Sequence, residues 1–358
     1  MTAPLDIIKP AVRALRAYTL SPHRASVKIN QNENPWDAPA EIKEEVLGRF
    51  VAREWSRYPD FVPASLHERL AQFANWKMDG VIAGNGSNEL IQAVLMVTIG
   101  PNKRVLISEP TFALYKQVAT VLGGEVETVL LTPYLTYDTA ALLETIEEKQ
   151  PDVTIICSPN NPTGCVIETD ELRRLLRAAR GLVVIDEAYH EFARQSVVPL
   201  LEEHENLVVL RTFSKAMAFA ALRVGYLLAA PELVREIGKA VLPYNLNAFS
   251  QLAAEVALEK YSALLGPTVE AIIAERERLY LAVSEIPGLH PRESQANFMV
   301  VKSDTEIKRI FAELLQREIL VRDVSGYPLL SEYFRFSVGT PEENDRLLRA
   351  LHEIQGQR

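Results

Sequence analysis

The run Leu207-Val-Val-Leu-Arg-Thr-Phe-Ser-Lys215 delivers two hydroxyls and an amine to the end of an apolar stretch, and eight residues later stands Arg223. A lone lysine after a strand is ordinarily a solvated surface group. Thr212, Ser214 and Arg223 change that reading, because together they make a set of donors for an anion around a nucleophilic amine. This is what pyridoxal phosphate chemistry needs: Lys215 for a Schiff base, and Thr212, Ser214 and Arg223 for the cofactor's phosphate.

Four further segments carry residue types suited to the same chemistry. In Ser158-Pro-Asn-Asn-Pro-Thr-Gly164 the composition is that of a surface turn; the alternative sets the Asn161 amide against the phenolic oxygen of a pyridoxal ring. In Asp186-Glu-Ala-Tyr189 an aspartate directly follows the apolar run Leu182-Val-Val-Ile. A carboxylate there is costly without a partner, and a pyridinium nitrogen is a suitable one; capping a helix is the simpler alternative. Tyr189 could donate to the phenolic oxygen. Ala83-Gly-Asn-Gly-Ser-Asn-Glu-Leu-Ile places Gly86, Ser87 and Asn88 at a helix start, where free amides seat phosphate and the same residues also serve as ordinary caps. Phe112, in Glu109-Pro-Thr-Phe-Ala-Leu-Tyr, could stack on the ring, though an aromatic there is more often core.

The elements that must position these residues are legible as apolar runs separated by helical periodicity, from about residue 40 to 230. The runs start at Val81, Arg104, Val153, Leu182, Leu207 and Val224, and their continuity predicts strands buried on both faces of a largely parallel sheet. Functional residues gather at the carboxyl ends of such strands, where the polar segments above lie. Residues 246–286 read as helix interrupted near Gly266-Pro267, and the remainder as shorter strands and helices. The expectation is an α/β chain with an arm at 1–40, a large cofactor-binding domain at 41–250 and a small α+β domain at 251–358. The arm is expected on the small domain or on a partner subunit.

Bulk properties narrow the function. The 358 residues carry a net charge of −9, which argues against a nucleic-acid surface. The basic residues of Leu172-Arg-Arg-Leu-Leu-Arg-Ala-Ala-Arg space as the wet face of an amphipathic helix. Cys157 and Cys165 are too few for a disulfide framework and lack metal-ligand spacing, so no metal is expected. No secretory signal or membrane-spanning run is evident. The expected setting is the cytoplasm.

In order and joint presence, these segments resemble the fold-type I pyridoxal phosphate aminotransferases, and within them the histidinol-phosphate aminotransferase branch. The resemblance runs from Ile29-Asn-Gln-Asn-Glu-Asn-Pro to Val338-Gly-Thr-Pro-Glu-Glu-Asn and includes Arg57-Tyr58-Pro-Asp, Leu320-Val-Arg-Asp and Phe334-Arg-Phe-Ser-Val-Gly-Thr. It implies that Lys215 is the Schiff-base lysine, that Asp186 pairs the pyridine nitrogen, and that Asn161 and Tyr189 hold the phenolic oxygen. It further implies that Gly86, Ser87, Asn88, Ser214 and Arg223 bind the cofactor phosphate. Tyr58 would reach that phosphate from a neighbouring subunit, so a homodimer with shared sites is implied. Arg335 and Arg322 would bind the substrate's anionic groups, with Asn32 and Tyr18 also on the substrate side. Asn88 stands where many relatives carry aspartate and Ala221 where glycine is common; neither touches the amine. The implied reaction is transamination of histidinol phosphate with 2-oxoglutarate, in histidine biosynthesis. An aromatic amino acid aminotransferase and a threonine-phosphate decarboxylase are the alternatives on the same fold.

Overall fold

Apolar runs without alternation build the centre of the molecule. In the computed structural model, which describes residues 4–15 and 23–356, seven strands form one sheet. Their order is Val81–Gly84, Gly225–Ala229, Leu207–Thr212, Leu182–Asp186, Val153–Cys157, Arg104–Glu109 and Glu125–Leu130. All pairings are parallel except those of Gly225–Ala229, which runs antiparallel to both neighbours.

Alternate residues of the sheet feed two different cores. On one face Val105, Ile107, Val153, Ile155, Val184 and Val208 pack under the helices Ser87–Thr98 and Leu114–Leu122. On the other, Leu106, Ile156, Val183, Ile185 and Val209 pack under Ala64–Ala74, Thr139–Lys149 and Thr169–Ala178. Cover on both faces is why the central strands contain so little polar sequence. The outer strand Glu125–Leu130 is different: it begins Glu-Val-Glu and buries only Val129, so continuous apolar content did not mark it as a strand.

A second, antiparallel sheet has the order Arg322–Asp323, Tyr333–Ser337, Phe298–Ser303, Leu289–Pro291. It shares a core with the helices Gly266–Ser284, Ile307–Gln316 and Pro341–Gly356. Val27–Lys28 pairs with Ile319–Leu320, and Val27 and Ile29 are buried in the same core, which fixes the path of residues 30–33. The helix Ala248–Glu259 crosses the boundary expected at residue 250 and packs wholly into the core of the large sheet. The change of core falls instead at the π-helical stretch Tyr261–Leu265. Just after it, Pro267 occupies the first turn of the next helix, where a missing N–H leaves no intrahelical bond unmade. Among the described residues no helix is long and apolar enough to cross a membrane.

Candidate active site

The strands Arg104–Glu109, Val153–Cys157, Leu182–Asp186 and Leu207–Thr212 end at one edge of the large sheet. Over that edge lies a cavity of about 440 Å³, a size usual for small-molecule sites. Its wall brings together Asn32, Ser87, Asn88, Phe112, Asn161, Asp186, Tyr189, Thr212, Ser214, Lys215, Arg223, Arg322 and Arg335. Gly86 lies just behind it. Tyr58 does not reach it, and Tyr18 falls outside the described residues.

Lys215 Nζ donates to the Gln31 carbonyl at 3.1 Å and lies 5.7 Å above the centre of the Tyr189 ring. Burial, followed by the charge of Arg335, lowers its pKa to about 8. An amine in that range is partly neutral, and so nucleophilic, near physiological pH.

Asp186 ends its strand buried, at 3% exposure. Its Oδ2 accepts from the Tyr115 hydroxyl at 2.6 Å and its Oδ1 from the Ala188 N–H at 3.1 Å. Burial raises its pKa to about 6, against the lowering effect of those two donors. The next residue turns the opposite way: Glu187 accepts from Arg211 Nε at 2.9 Å, Ser196 Oγ at 3.0 Å and Val197 N–H at 2.6 Å. This buried ion pair anchors the segment from behind and aims Asp186 into the cavity. Removing one partner of such a pair costs about 3–5 kcal/mol.

Around Tyr189 a polar network closes the opposite wall. The Tyr189 hydroxyl accepts from Asn32 Nδ2 at 3.0 Å and Asn161 Nδ2 at 3.4 Å, which leaves its own proton available to a group in the cavity. Burial holds its pKa well above the usual phenol value. Asn161 Oδ1 in turn accepts from Arg335, whose other nitrogen donates to the Asn30 carbonyl at 3.0 Å. Asn161 is free to do this because its neighbour locks the turn. Asn160 accepts from Thr111 Oγ1 at 2.8 Å and donates to the Pro110 carbonyl at 2.9 Å and Thr163 Oγ1 at 2.8 Å.

The floor is an anion seat. Gly86 precedes the helix Ser87–Thr98 with φ of 76° and no side-chain cap, so the first amides have no intrahelical acceptor. A Cβ on Gly86 would lie 2.3 Å from an Arg223 guanidinium nitrogen. Arg223 also donates to Ser214 Oγ at 3.1 Å, and Thr212 Oγ1 to Ser214 Oγ at 3.0 Å. One helix start, two hydroxyls and one guanidinium therefore converge.

Across the cavity Arg322 and Arg335 are direct partners on neighbouring antiparallel strands. Like charges so placed destabilise a sheet, and an anion between them removes the penalty. Residues not singled out from sequence complete the site: Tyr115, Gln31, Tyr327, and Asn297 and Ser337, which hold Asn32 through its carbonyl at 3.1 Å and its N–H at 2.8 Å. Tyr115 had a local signal, lying one helical turn beyond Phe112. The others come from distant segments, and no local spacing marks them.

Tyr58 is 81% exposed and stacks on Tyr244 at 4.5 Å between ring centres, near the exposed Trp55, Phe61 and Leu242.

Residues 25–351 match the family model described as aminotransferase class I and II. A histidinol-phosphate aminotransferase of Chlorobium phaeovibrioides is 39% identical over 351 residues, 98% of this chain and 97% of that protein. One from Chlorobium phaeobacteroides is 40% identical over 348 residues, 97% and 96% of the two chains. In fold, the chain is similar to a histidinol-phosphate aminotransferase of Sinorhizobium meliloti solved in complex with pyridoxal-5'-phosphate. The TM-score is 0.87, at 23% identity over 98% of each chain.

Proposed function

Because the chain belongs to the class I and II aminotransferases, we propose that it is the pyridoxal phosphate-dependent transaminase acting on histidinol phosphate. It passes the amino group to 2-oxoglutarate, yielding imidazole acetol phosphate and glutamate in histidine biosynthesis. The observation that carries the donor is the pair Arg322 and Arg335, register partners on neighbouring strands that both line the cavity. The cavity thus has two anion seats, one for a cofactor and one for a phosphorylated substrate. The full-length relatives named for this activity support the same reading.

The residues present fit the cofactor. The uncapped amides of Ser87 and Asn88, the hydroxyls of Thr212 and Ser214, and Arg223, which leaves no room for a side chain at Gly86, would hold its phosphate. The buried Asp186 carboxylate would meet its ring nitrogen, Asn161 and Tyr189 its phenolic oxygen and Phe112 its ring face, all of them residues of the cavity wall. Among the described residues, Lys215 supplies the only lysine amine in the wall.

When bound, the cofactor draws electron density from the substrate carbon that loses its proton. Tyr115 and the Ala188 N–H hold Asp186 in the ionised form that a protonated ring nitrogen requires. Lys215 Nζ, near neutrality in its proton equilibrium, removes the proton from the amine-bearing carbon and later returns a proton on the same side. Tyr189 keeps its proton and donates it into the cavity. Arg335 takes the donor's anionic group in one half-reaction and the carboxylate of 2-oxoglutarate in the other, a double duty that suits a planar bidentate group. Arg322 adds the second contact to phosphate, and Asn32 holds Tyr189 in place. The working form is a cytoplasmic homodimer in which Tyr58 reaches the partner's cofactor phosphate.

The test is a donor panel with 2-oxoglutarate: histidinol phosphate, phenylalanine, tyrosine and threonine phosphate, with glutamate and carbon dioxide both measured. Histidinol phosphate should have the highest kcat/KM and release no carbon dioxide. Preference for an aromatic amino acid, or carbon dioxide from threonine phosphate without glutamate, would overturn the reading.

A further inference from the structure

The loop between the strand Glu125–Leu130 and the helix Thr139–Lys149 folds into a tight turn. Leu135 N–H donates to the Thr132 carbonyl at 2.8 Å, Thr132 N–H donates to the Thr136 carbonyl at 2.9 Å, and the two threonine hydroxyls lie 2.7 Å apart. The turn holds Leu135 at φ of 64°, a region that a bulky side chain avoids unless its surroundings impose it. Its neighbour Tyr134 is exposed, whereas Leu135 is buried.

Leu135 is buried away from its own sheet. It joins a small cluster with Val300, Val324, Leu330 and Tyr333, against which Tyr327 packs. All of these belong to the other sheet or to the segment following Arg322. That segment has little regular structure to hold it: Arg322–Asp323 is a two-residue strand, followed by turns closed by Tyr327 N–H to Val324 O at 3.0 Å and Leu330 N–H to Tyr327 O at 3.2 Å. Leu329, beside Leu330, also sits at φ of 64°, so both sides of the contact hold a leucine in the left-handed region. Val324 and Tyr327 have their other side on the cavity, next to Arg322.

We propose that Leu135 is a positioning residue for the amino donor: by filling the cluster behind Val324 and Tyr327, it seats the wall that carries Arg322 against the donor's phosphorylated end. The inference rests on the reading of the donor given above. It separates the two substrates of one site. Arg335 meets the same cluster through Tyr333 and through Val300, its ladder partner, but it has anchors beyond it in the rest of the strand Tyr333–Ser337 and in Asn30 and Asn161, so the binding of 2-oxoglutarate depends on Leu135 less than the binding of the donor does.

The test compares wild type with Leu135→Ala, Leu135→Gly and Leu135→Met. Glycine adopts the turn without strain but leaves the cluster unfilled; methionine refills it. In the alanine and glycine variants KM for histidinol phosphate should rise roughly tenfold to a hundredfold, the scale of a misplaced binding group. KM for 2-oxoglutarate should change several-fold less than that for the donor, the visible absorbance of the bound cofactor should stay near wild type, and Leu135→Met should recover most of the donor affinity. If both KM values rise together, if neither moves, or if Leu135→Met is as impaired as Leu135→Ala, the positioning role is wrong. Should Leu135→Ala prove unstable in a thermal melt, Leu135→Gly and Leu135→Met carry the same comparison. A wild type that ignores histidinol phosphate marks failure of the donor reading instead, and the preferred donor of the panel then takes its place in the KM comparison.

Discussion

Asp186 states the conflict between stability and function at the scale of one carboxyl. Burial without a full-time cation raises its pKa to about 6, even with Tyr115 and the Ala188 N–H lowering it. In the unfolded chain the same group titrates near 4. The stability linked to this group is therefore fully present below about pH 4 and is lost as pH rises through 6. At neutral pH the ionised form costs on the order of 3 kcal/mol in the cofactor-free protein. A pyridinium partner recovers that cost, which ties folding stability to cofactor binding. In Asp186→Asn the cost disappears. Urea melts of the cofactor-free proteins at pH 4 and pH 8 should show the variant gaining about 1–3 kcal/mol on wild type at the higher pH, while its affinity for pyridoxal phosphate falls. A difference that does not change with pH would remove the buried charge as its cause.

At the scale of elements, the anion seat depends on how closely a helix start approaches a strand. A Cβ at Gly86 would meet Arg223, and one at Gly225, on the neighbouring strand, would lie 2.4 Å from the Ser87 nitrogen. Gly86→Ala must therefore displace Arg223 and adopt an unfavourable φ. It should weaken pyridoxal phosphate binding by roughly tenfold to a hundredfold, equivalent to about 1.4–2.7 kcal/mol, in an absorbance titration of the cofactor-free protein. Gly48→Ala is the control: nothing lies within 4 Å of its Cβ, and as a helix-interior substitution it should stabilise the fold by up to about 1 kcal/mol. Equal cofactor affinity in both variants would refute the role of the close approach. These elements were readable from sequence because the strands are covered on both faces and end in polar segments, so the hydrophobic pattern and the chemistry coincide at Asp186 and Lys215. The outer strand Glu125–Leu130 escaped because, at the edge of the sheet, it buries only Val129 and so carries no continuous apolar run. Which of Asn160 and Asn161 locks the turn and which faces the cavity is decided by Thr111 and Arg335, from distant segments. Leu135 left no trace at all: its burial exists only once two sheets are assembled.

At the scale of the whole molecule, one sequence-derived residue stands apart from the cavity. Tyr58 lies on a face where Trp55 is 72% exposed, Phe61 65% and Leu242 72%, with Tyr58 and Phe61 both packed on Tyr244. Clustered aromatic exposure of this kind suits an interface, and in the homodimer proposed above a twofold contact would bring each copy of Tyr58 to the other chain. If Tyr58 serves the partner's site, a heterodimer of Tyr58→Ala and Lys215→Ala chains has one site with both residues intact and one with neither. Random exchange makes half the dimers mixed, so the mixture should approach roughly a quarter of wild-type specific activity, well above either parent at limiting cofactor. Native mass spectrometry verifies that exchange has occurred. Mixed dimers with no gain over the parents would place Tyr58 outside the partner's site, and the exposed aromatic face would then need a different occupant.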